Sequence, residues 1–254
     1  MQNSSGVFCQ IQVAVIMLLA IDRGNTRDKF AVFDGDKIIT AGNDIFSEND
    51  LLKTLKDFAV TECIFSSVKD ESSNLRFKEV VGNYCTLKQI TADMSLPFIN
   101  KYKSSGLGID RLCVIAGAEK IYGKNVLVID AGTCITFDYL NLDNEYCGGS
   151  ISPGFQIKYK ALHNFTANLP LINKLELVDV CSDNTKQCIE SGVINGTLAE
   201  VEGMIGFYRR NYKDVLVVIT GGDGEFIHDN TKEDTVLNEN LVFIGLKNIF
   251  ESNG

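Results

Sequence analysis

Two stretches of the chain match at a fixed offset of 108 residues, and this repeat restricts the available folds more than any other feature. The first is Leu18-Leu19-Ala20-Ile21-Asp22-Arg23-Gly24-Asn25-Thr26; the second is Val126-Leu127-Val128-Ile129-Asp130-Ala131-Gly132-Thr133-Cys134. Each is an apolar run closed by Asp-x-Gly and then an amide or hydroxyl residue. Each leads into a second β-rich run (30–33 and 135–140), a polar turn (34–37 and 141–145) and a third run. Apolar runs punctuated by Gly, Asn and Asp predict antiparallel hairpins. Each half therefore opens with a β-meander whose first strand ends on Asp-x-Gly.

Apolar residues at helical spacing predict helices over 50–58, 107–122, 154–165 and 185–208. Short strands are predicted at 63–66, at 80–87 with an internal turn at Gly82-Asn83, and at 215–220. Strands alternating with helices twice over predict an α/β chain of two related domains, each a mixed sheet carrying helices. The break is placed near Gly123-Lys124-Asn125. The domains are then 17–123 and 124–254, and residues 1–16 read as an N-terminal extension.

With 254 residues there is room for two such domains. A net charge of −9 disfavours binding to a nucleic-acid backbone. The eight Cys show no C-x-x-C pair and there are only two His, so the usual zinc spacings are lacking. Cysteines inside apolar runs point to free thiols in a reducing cytoplasm. The longest apolar run, Val13–Ile21, is too short to span a membrane, and no Lys or Arg precedes it as in a signal peptide.

The chemistry sits at the strand ends. Gly permits a tight turn whose exposed N–H groups can hold phosphate oxygens. One Asp-x-Gly alone reads first as a plain hairpin turn. Two at matching positions, facing across a cleft, would grip a nucleotide triphosphate from both sides, which is what phosphoryl transfer requires. In the first loop Asn25 and Thr26 offer donors and Lys29 a cation for the transferred group, or else a solvated strand charge. In the second, Asp130 and Asp138 lie on strand positions where an unpaired acid is costly unless a cation relieves it. Gly148-Gly149 and Gly221-Gly222 follow β-rich runs and allow close approach by a ligand or by a packed element. Gly106-Leu107-Gly108-Ile109-Asp110-Arg111 enters a helix. There Asp110 could accept a hydroxyl proton and Arg111 could bind a carboxylate, or the acid could simply favour the helix N-terminus. The helix predicted at 185–208 carries Gly192, Gly196, Gly203 and Gly206, each costing about 1 kcal/mol. Something must pack closely there, either a second copy of the chain or a helix of the other domain.

Taken in order, Asp-x-Gly-Asn-Thr-x-x-Lys, Leu-Gly-x-Asp-Arg, Asp-x-Gly-Thr-x-x-Thr-x-Asp and Gly-Gly-x-Ile-x-Pro-Gly resemble the type III pantothenate kinase family from Met17 to the C-terminus. The resemblance implies duplicated ribonuclease-H-like domains of the actin, acetate and sugar kinase superfamily, with a central cleft. It implies ATP-dependent phosphorylation of pantothenate to 4'-phosphopantothenate, the first step of coenzyme A synthesis, by a cytoplasmic homodimer. Asp110 would be the general base. Asp22, Arg23, Gly24, Asn25, Thr26, Arg27, Asp28 and Lys29 would form the first ATP loop, with Gly132, Thr133, Gly221 and Gly222 completing the ATP site. Tyr102, Gly108, Ile109, Asp110 and Arg111 would line the pantothenate site, Arg111 near its carboxylate, and Thr185 would reach pantothenate across a dimer interface. Asp130 would hold potassium or ammonium, and Mg²⁺ would arrive with ATP. Nucleic-acid and membrane partners are not implied. The chain departs from the family pattern at Arg23, where a small or aliphatic residue is usual, and in the Tyr102–Gly106 stretch, which lacks a Pro and is one residue short. These departures leave a second reading, a catalytically weak nucleotide-binding regulator of the same family.

Overall fold

The computed structural model describes residues 16–24, 28–42, 47–104 and 106–253. The first half supplies β1 (Met17–Arg23), β2 (Asp28–Asp34), β3 (Lys37–Gly42), α1 (Glu48–Asp57), β4 (Glu62–Ser67), α2 (Glu71–Gly82), β5 (Thr86–Gln89), β6 (Ile99–Asn100) and α3 (Ile109–Tyr122). The second supplies β7 (Val126–Ala131), β8 (Cys134–Leu140), β9 (Glu145–Pro153), α4 (Phe155–Asn164), α5 (Thr185–Asn211), β10 (Leu216–Thr220), α6 (Gly224–Asn230), β11 (Val236–Leu237) and α7 (Leu241–Glu251).

The repeat is a repeat of topology. One sheet runs β3-β2-β1-β4-β5 and the other β9-β8-β7-β10-β11, with β6 added beyond β9. In both, the first strand pairs antiparallel with the second and parallel with the fourth. Successive side chains on a strand point to opposite faces, so each central strand splits its apolar run between two cores. Leu18, Ala20, Val126 and Val128 turn inward to a core shared with α3 and α7. Leu19 and Ile21 turn outward beneath α1 and α2, and Leu127 and Ile129 outward beneath α4 and α5. The order of layers is helices, sheet, α3 with α7, sheet, helices.

The middle layer explains α3. Its residues from Arg111 to Ala118 are all buried, as expected of a helix enclosed on every side. It crosses α7 closely enough that a Cβ on Gly117 would lie 2.1 Å from the Leu241 carbonyl oxygen, and one on Gly245 would lie 1.6 Å from that of Cys113.

The strand expected at 80–87 is corrected. Val80 and Val81 belong to α2, and the strand begins at Thr86. Asp70 caps α2 by accepting a hydrogen bond from the Ser73 amide, and Asn74, Phe77 and Val81 form its inner face. Helical spacing and the cap outweigh the β-preference of two valines. Helices α2, α6 and α7 and strands β5, β6 and β11 fall outside the predicted elements or shift their bounds. Asn25, Thr26, Arg27 and nearly all of the 1–16 extension lie outside the described residues. No helix among the described residues is long and apolar enough to cross a membrane.

Candidate active site

Because Asp22 and Asp130 occupy inward positions of β1 and β7, both point toward the N-terminal end of α3, where Asp110 sits. Lys29 lies opposite Asp22 in the β1–β2 register and shares its face. The charges are close enough to act on one another. Burial raises the Asp22 carboxyl above its ordinary range and Asp110 adds to this, while the Ser66 hydroxyl, donating to Asp22 Oδ1 at 2.8 Å, and Lys29 draw it back. Burial pushes Asp130 up to about 7, with Lys29 opposing and Asp110, Asp22 and Asp138 adding to the rise. No hydrogen bond reaches the Asp130 carboxylate among the described residues. A half-buried acid in this state fits a bound cation.

Asp110 lies in the first turn of α3, its Oδ1 accepting the Arg111 amide hydrogen at 2.9 Å. Gly108, the N-cap, lies against that same oxygen, and a Cβ there would stand 2.3 Å from it and displace the Asp110 side chain. Ile109 follows as the first helical residue.

The turn after β7 is held by close backbone contact. A Cβ on Gly154, at the start of α4, would come within 2.2 Å of the Gly132 carbonyl oxygen, and the Gly154 amide donates to Thr133 O at 3.0 Å. Gly221, with φ +96°, would set a Cβ 2.3 Å from the Ala131 oxygen and 2.4 Å from Asp130 Oδ1. Gly222 and Gly132 have open or ordinary space above them, so these glycines leave room for a ligand. Gly149 is explained by strand pairing against Phe137.

Arg23 and Asp28 are expected phosphate-loop residues that the structure sends elsewhere. They pair with each other on the outward face of the sheet, opposite to Asp22 and Lys29. The Arg23 guanidinium donates to Asn74 Oδ1 at 2.6 Å and Ser73 Oγ at 3.0 Å, meets Asp28 at 3.4 Å and lies 4.4 Å from the Phe77 ring centre. Lys69 completes the cluster at 2.6 Å from Asp28. A cavity of about 420 Å³ lies beside it, and its charged walls are paired among themselves.

Tyr102 and Arg111 come together, with the guanidinium 5.7 Å from the ring centre. Arg111 Nε and Nη2 bind Asp138, at 3.0 and 3.1 Å from Nε and 2.6 Å from Nη2, and the Tyr146 hydroxyl donates to the same carboxylate at 2.6 Å. Thr185 lies apart, exposed at the start of α5. Ser66 and Tyr146 carried no signal in the sequence. Ser66 has a counterpart, Thr220, at the end of the fourth strand of the second sheet, but the spacing between the two differs from 108, so the linear repeat hides it.

Two sheets of one topology, each delivering an acid from an Asp-x-Gly hairpin to a shared helix, define the duplicated ribonuclease-H-like class that includes actin and the acetate and sugar kinases. Solved structures agree on the fold. A conserved protein described as a Baf family transcriptional activator from Campylobacter jejuni superposes with a TM-score of 0.60 at 22% identity, over 92% of this chain and 98% of its own. The ethanolamine utilization protein EutJ from Carboxydothermus hydrogenoformans does so with a TM-score of 0.53 at 9% identity, over 91% and 89%. The model of the family described as type III pantothenate kinase matches residues 18–206. Type III pantothenate kinases of Flavobacterium johnsoniae and Christiangramia forsetii are 38% and 37% identical, covering 92% and 93% of this chain and 98% and 99% of their own. That of Phocaeicola vulgatus is 34% identical, over 93% and 99%. The chain belongs to the type III pantothenate kinase family.

Proposed function

We propose that the protein transfers the γ-phosphoryl group of ATP to the primary hydroxyl of pantothenate, giving 4'-phosphopantothenate and ADP. The observation that carries this reading is the gathering of Asp22, Lys29, Asp110 and Asp130 at one place between the two sheets. The hydroxyl oxygen attacks the γ-phosphorus in line, the bond to the β–γ bridging oxygen breaks, and ADP leaves with that electron pair. Asp110 receives the hydroxyl proton on its carboxylate, while Lys29 balances charge on the transferred group. The amides of the two Asp-x-Gly turns, with Gly221-Gly222, hold the nucleotide. Magnesium bound to the nucleotide supplies further charge neutralisation. Asp130, which receives no hydrogen bond among the described residues, is the residue suited to a monovalent cation. Tyr102, Gly108, Ile109 and Arg111 line the acceptor side.

We assign the two domains to 17–123 and 124–254 and place the protein in the cytoplasm as a homodimer. Support for the dimer comes from α5. Gly192, Gly196 and Gly203 are exposed, and a Cβ on any of them would meet nothing within 4 Å, so the described chain does not itself use their small size. A second copy on this face would, and Thr185 at the end of the same helix would then be free to reach a partner's acceptor site.

The test is ADP release by the purified protein with ATP and Mg²⁺, with and without pantothenate, in potassium and in sodium buffer. Release that needs both pantothenate and potassium is expected; ATP binding without turnover would select the regulator instead. Asp110→Asn should lower kcat by roughly 10²–10⁴, and an unchanged kcat would remove Asp110 from the chemistry.

A further inference from the structure

The Arg111–Asp138 pair is not explained by stability. Arg111 is 6% exposed and Asp138 is 0% exposed. Taking two charges out of water costs about as much as their attraction returns, so a buried pair of this kind is often no more stable than apolar residues of the same volume. Its geometry does something else. Three hydrogen bonds from Nε and Nη2 grip one edge of the guanidinium, and the Tyr146 hydroxyl fixes the carboxylate from the other side. Tyr102 covers the guanidinium, and its ring stacks on that of Tyr146 at 6.3 Å between centres. Gly148, at φ +86°, admits the Tyr102 ring, since a Cβ there would lie 3.2 Å from Cδ2. Nη1 is left as the guanidinium nitrogen with no hydrogen bond among the described residues.

We propose that Asp138, held by Tyr146, is a positioning residue that fixes Arg111 so that a single N–H edge serves the acceptor's carboxylate, and thereby selects hydroxy-acid acceptors over neutral ones. This rests on the reading of Arg111 as the carboxylate contact. A guanidinium free to turn would present its two-nitrogen fork to any anion in reach. Gripped by Asp138, it offers one donor direction at a set distance from Asp110, the residue before it in the chain. Acceptors are then measured by the span between hydroxyl and carboxylate.

The experiment compares wild type, Asp138→Asn and Tyr146→Phe with pantothenate and with its primary amide analogue, which lacks the carboxylate. For Asp138→Asn the KM for pantothenate should rise about tenfold or more, with kcat within about threefold and the KM values for the amide and for ATP nearly unchanged. Tyr146→Phe should show the same pattern at about two- to fivefold. A pantothenate KM that stays at the wild-type value, or rises equally for both acceptors, overturns the proposal. If Asp138→Asn fails to fold, Tyr146→Phe decides by the same criteria. Wild type inert toward pantothenate would instead overturn the underlying reading, and this proposal with it.

Discussion

The two Asp-x-Gly hairpins share a sequence pattern and a topology, yet they are held by opposite means. In the first, the residue after Asp22 is Arg23, whose side chain ties the hairpin base to Asp28 and to the start of α2 through charge and hydrogen bonds. In the second, the matching residue is Ala131, fully buried, and the hairpin is fixed by backbone packed on backbone at Gly154 and Gly221. The acids differ accordingly. Asp22 keeps a hydroxyl partner in Ser66, whereas Asp130 has none among the described residues and is pushed up to about 7 by burial. The two hairpins share a strand pairing, and local packing leaves one acid hydrogen-bonded to a hydroxyl and the other without such a partner among the described residues.

That contrast can be broken most sharply at Gly221. Gly221→Ala places a Cβ 2.3 Å from the Ala131 oxygen on a backbone with φ +96°. It should cost roughly 3 kcal/mol in denaturant unfolding. The equivalent change in the first half, Ser67→Ala, should cost about 1 kcal/mol or less. Equal losses would mean that the two hairpins are held alike.

Arg23→Ala tests the other clamp. It strips the hydrogen bonds from buried Asn74 and from Ser73, and should cost about 2 kcal/mol. With its guanidinium turned to the outer face of the sheet, the change is expected to raise the KM for ATP and spare the KM for pantothenate. A loss of ATP binding with no loss of stability would put Arg23 back among the phosphate contacts.

The acids themselves differ in their response to pH. Asp130 titrates at about 7 in the folded chain against an ordinary 3.8. Between those values the folded state holds the extra proton, so stability falls as pH rises through the window. The penalty is absent below about pH 4 and complete above about 7. Asp130→Asn removes it. In buffer free of monovalent metal ions its Tm should exceed wild type by about 3 °C or more at pH 8, and the gain should vanish near pH 4. Asp22→Asn, which also disturbs the Ser66 hydrogen bond, should gain less. The same gain in both variants would erase the distinction. A comparably small effect is expected from Ser66→Ala, about 1 kcal/mol, with the Asp22 carboxyl moved further up, as carbon-13 NMR titration of its carboxyl signal would show.

Much of this was legible in the chain. The offset repeat located β1 and β7, and polar turns located the meanders, because strand and hairpin signals are local. The ordered motifs pick out Asp22, Lys29, Asp110 and Asp130, and the fold brings these four charges together between the sheets. What remained hidden depended on neighbours distant in sequence. Helix α2 was obscured by Val80-Val81, whose local β-preference was overruled by burial of Phe77 and Val81 under the first sheet. Helix α7 is defined by packing against α3, 100 or more residues away in the chain, through Gly117 and Gly245.

The sequence by itself determined the duplication, the strand ends that carry the acids and the family, because each is written in contiguous residues and their spacing. Only the tertiary structure decided which way those residues face. A strand sends alternate side chains to opposite sides of its sheet. Arg23 and Asp28, adjacent in sequence to Asp22 and Lys29, were thereby turned to the outer face, and Asp138, 27 residues from Arg111, was brought to its guanidinium.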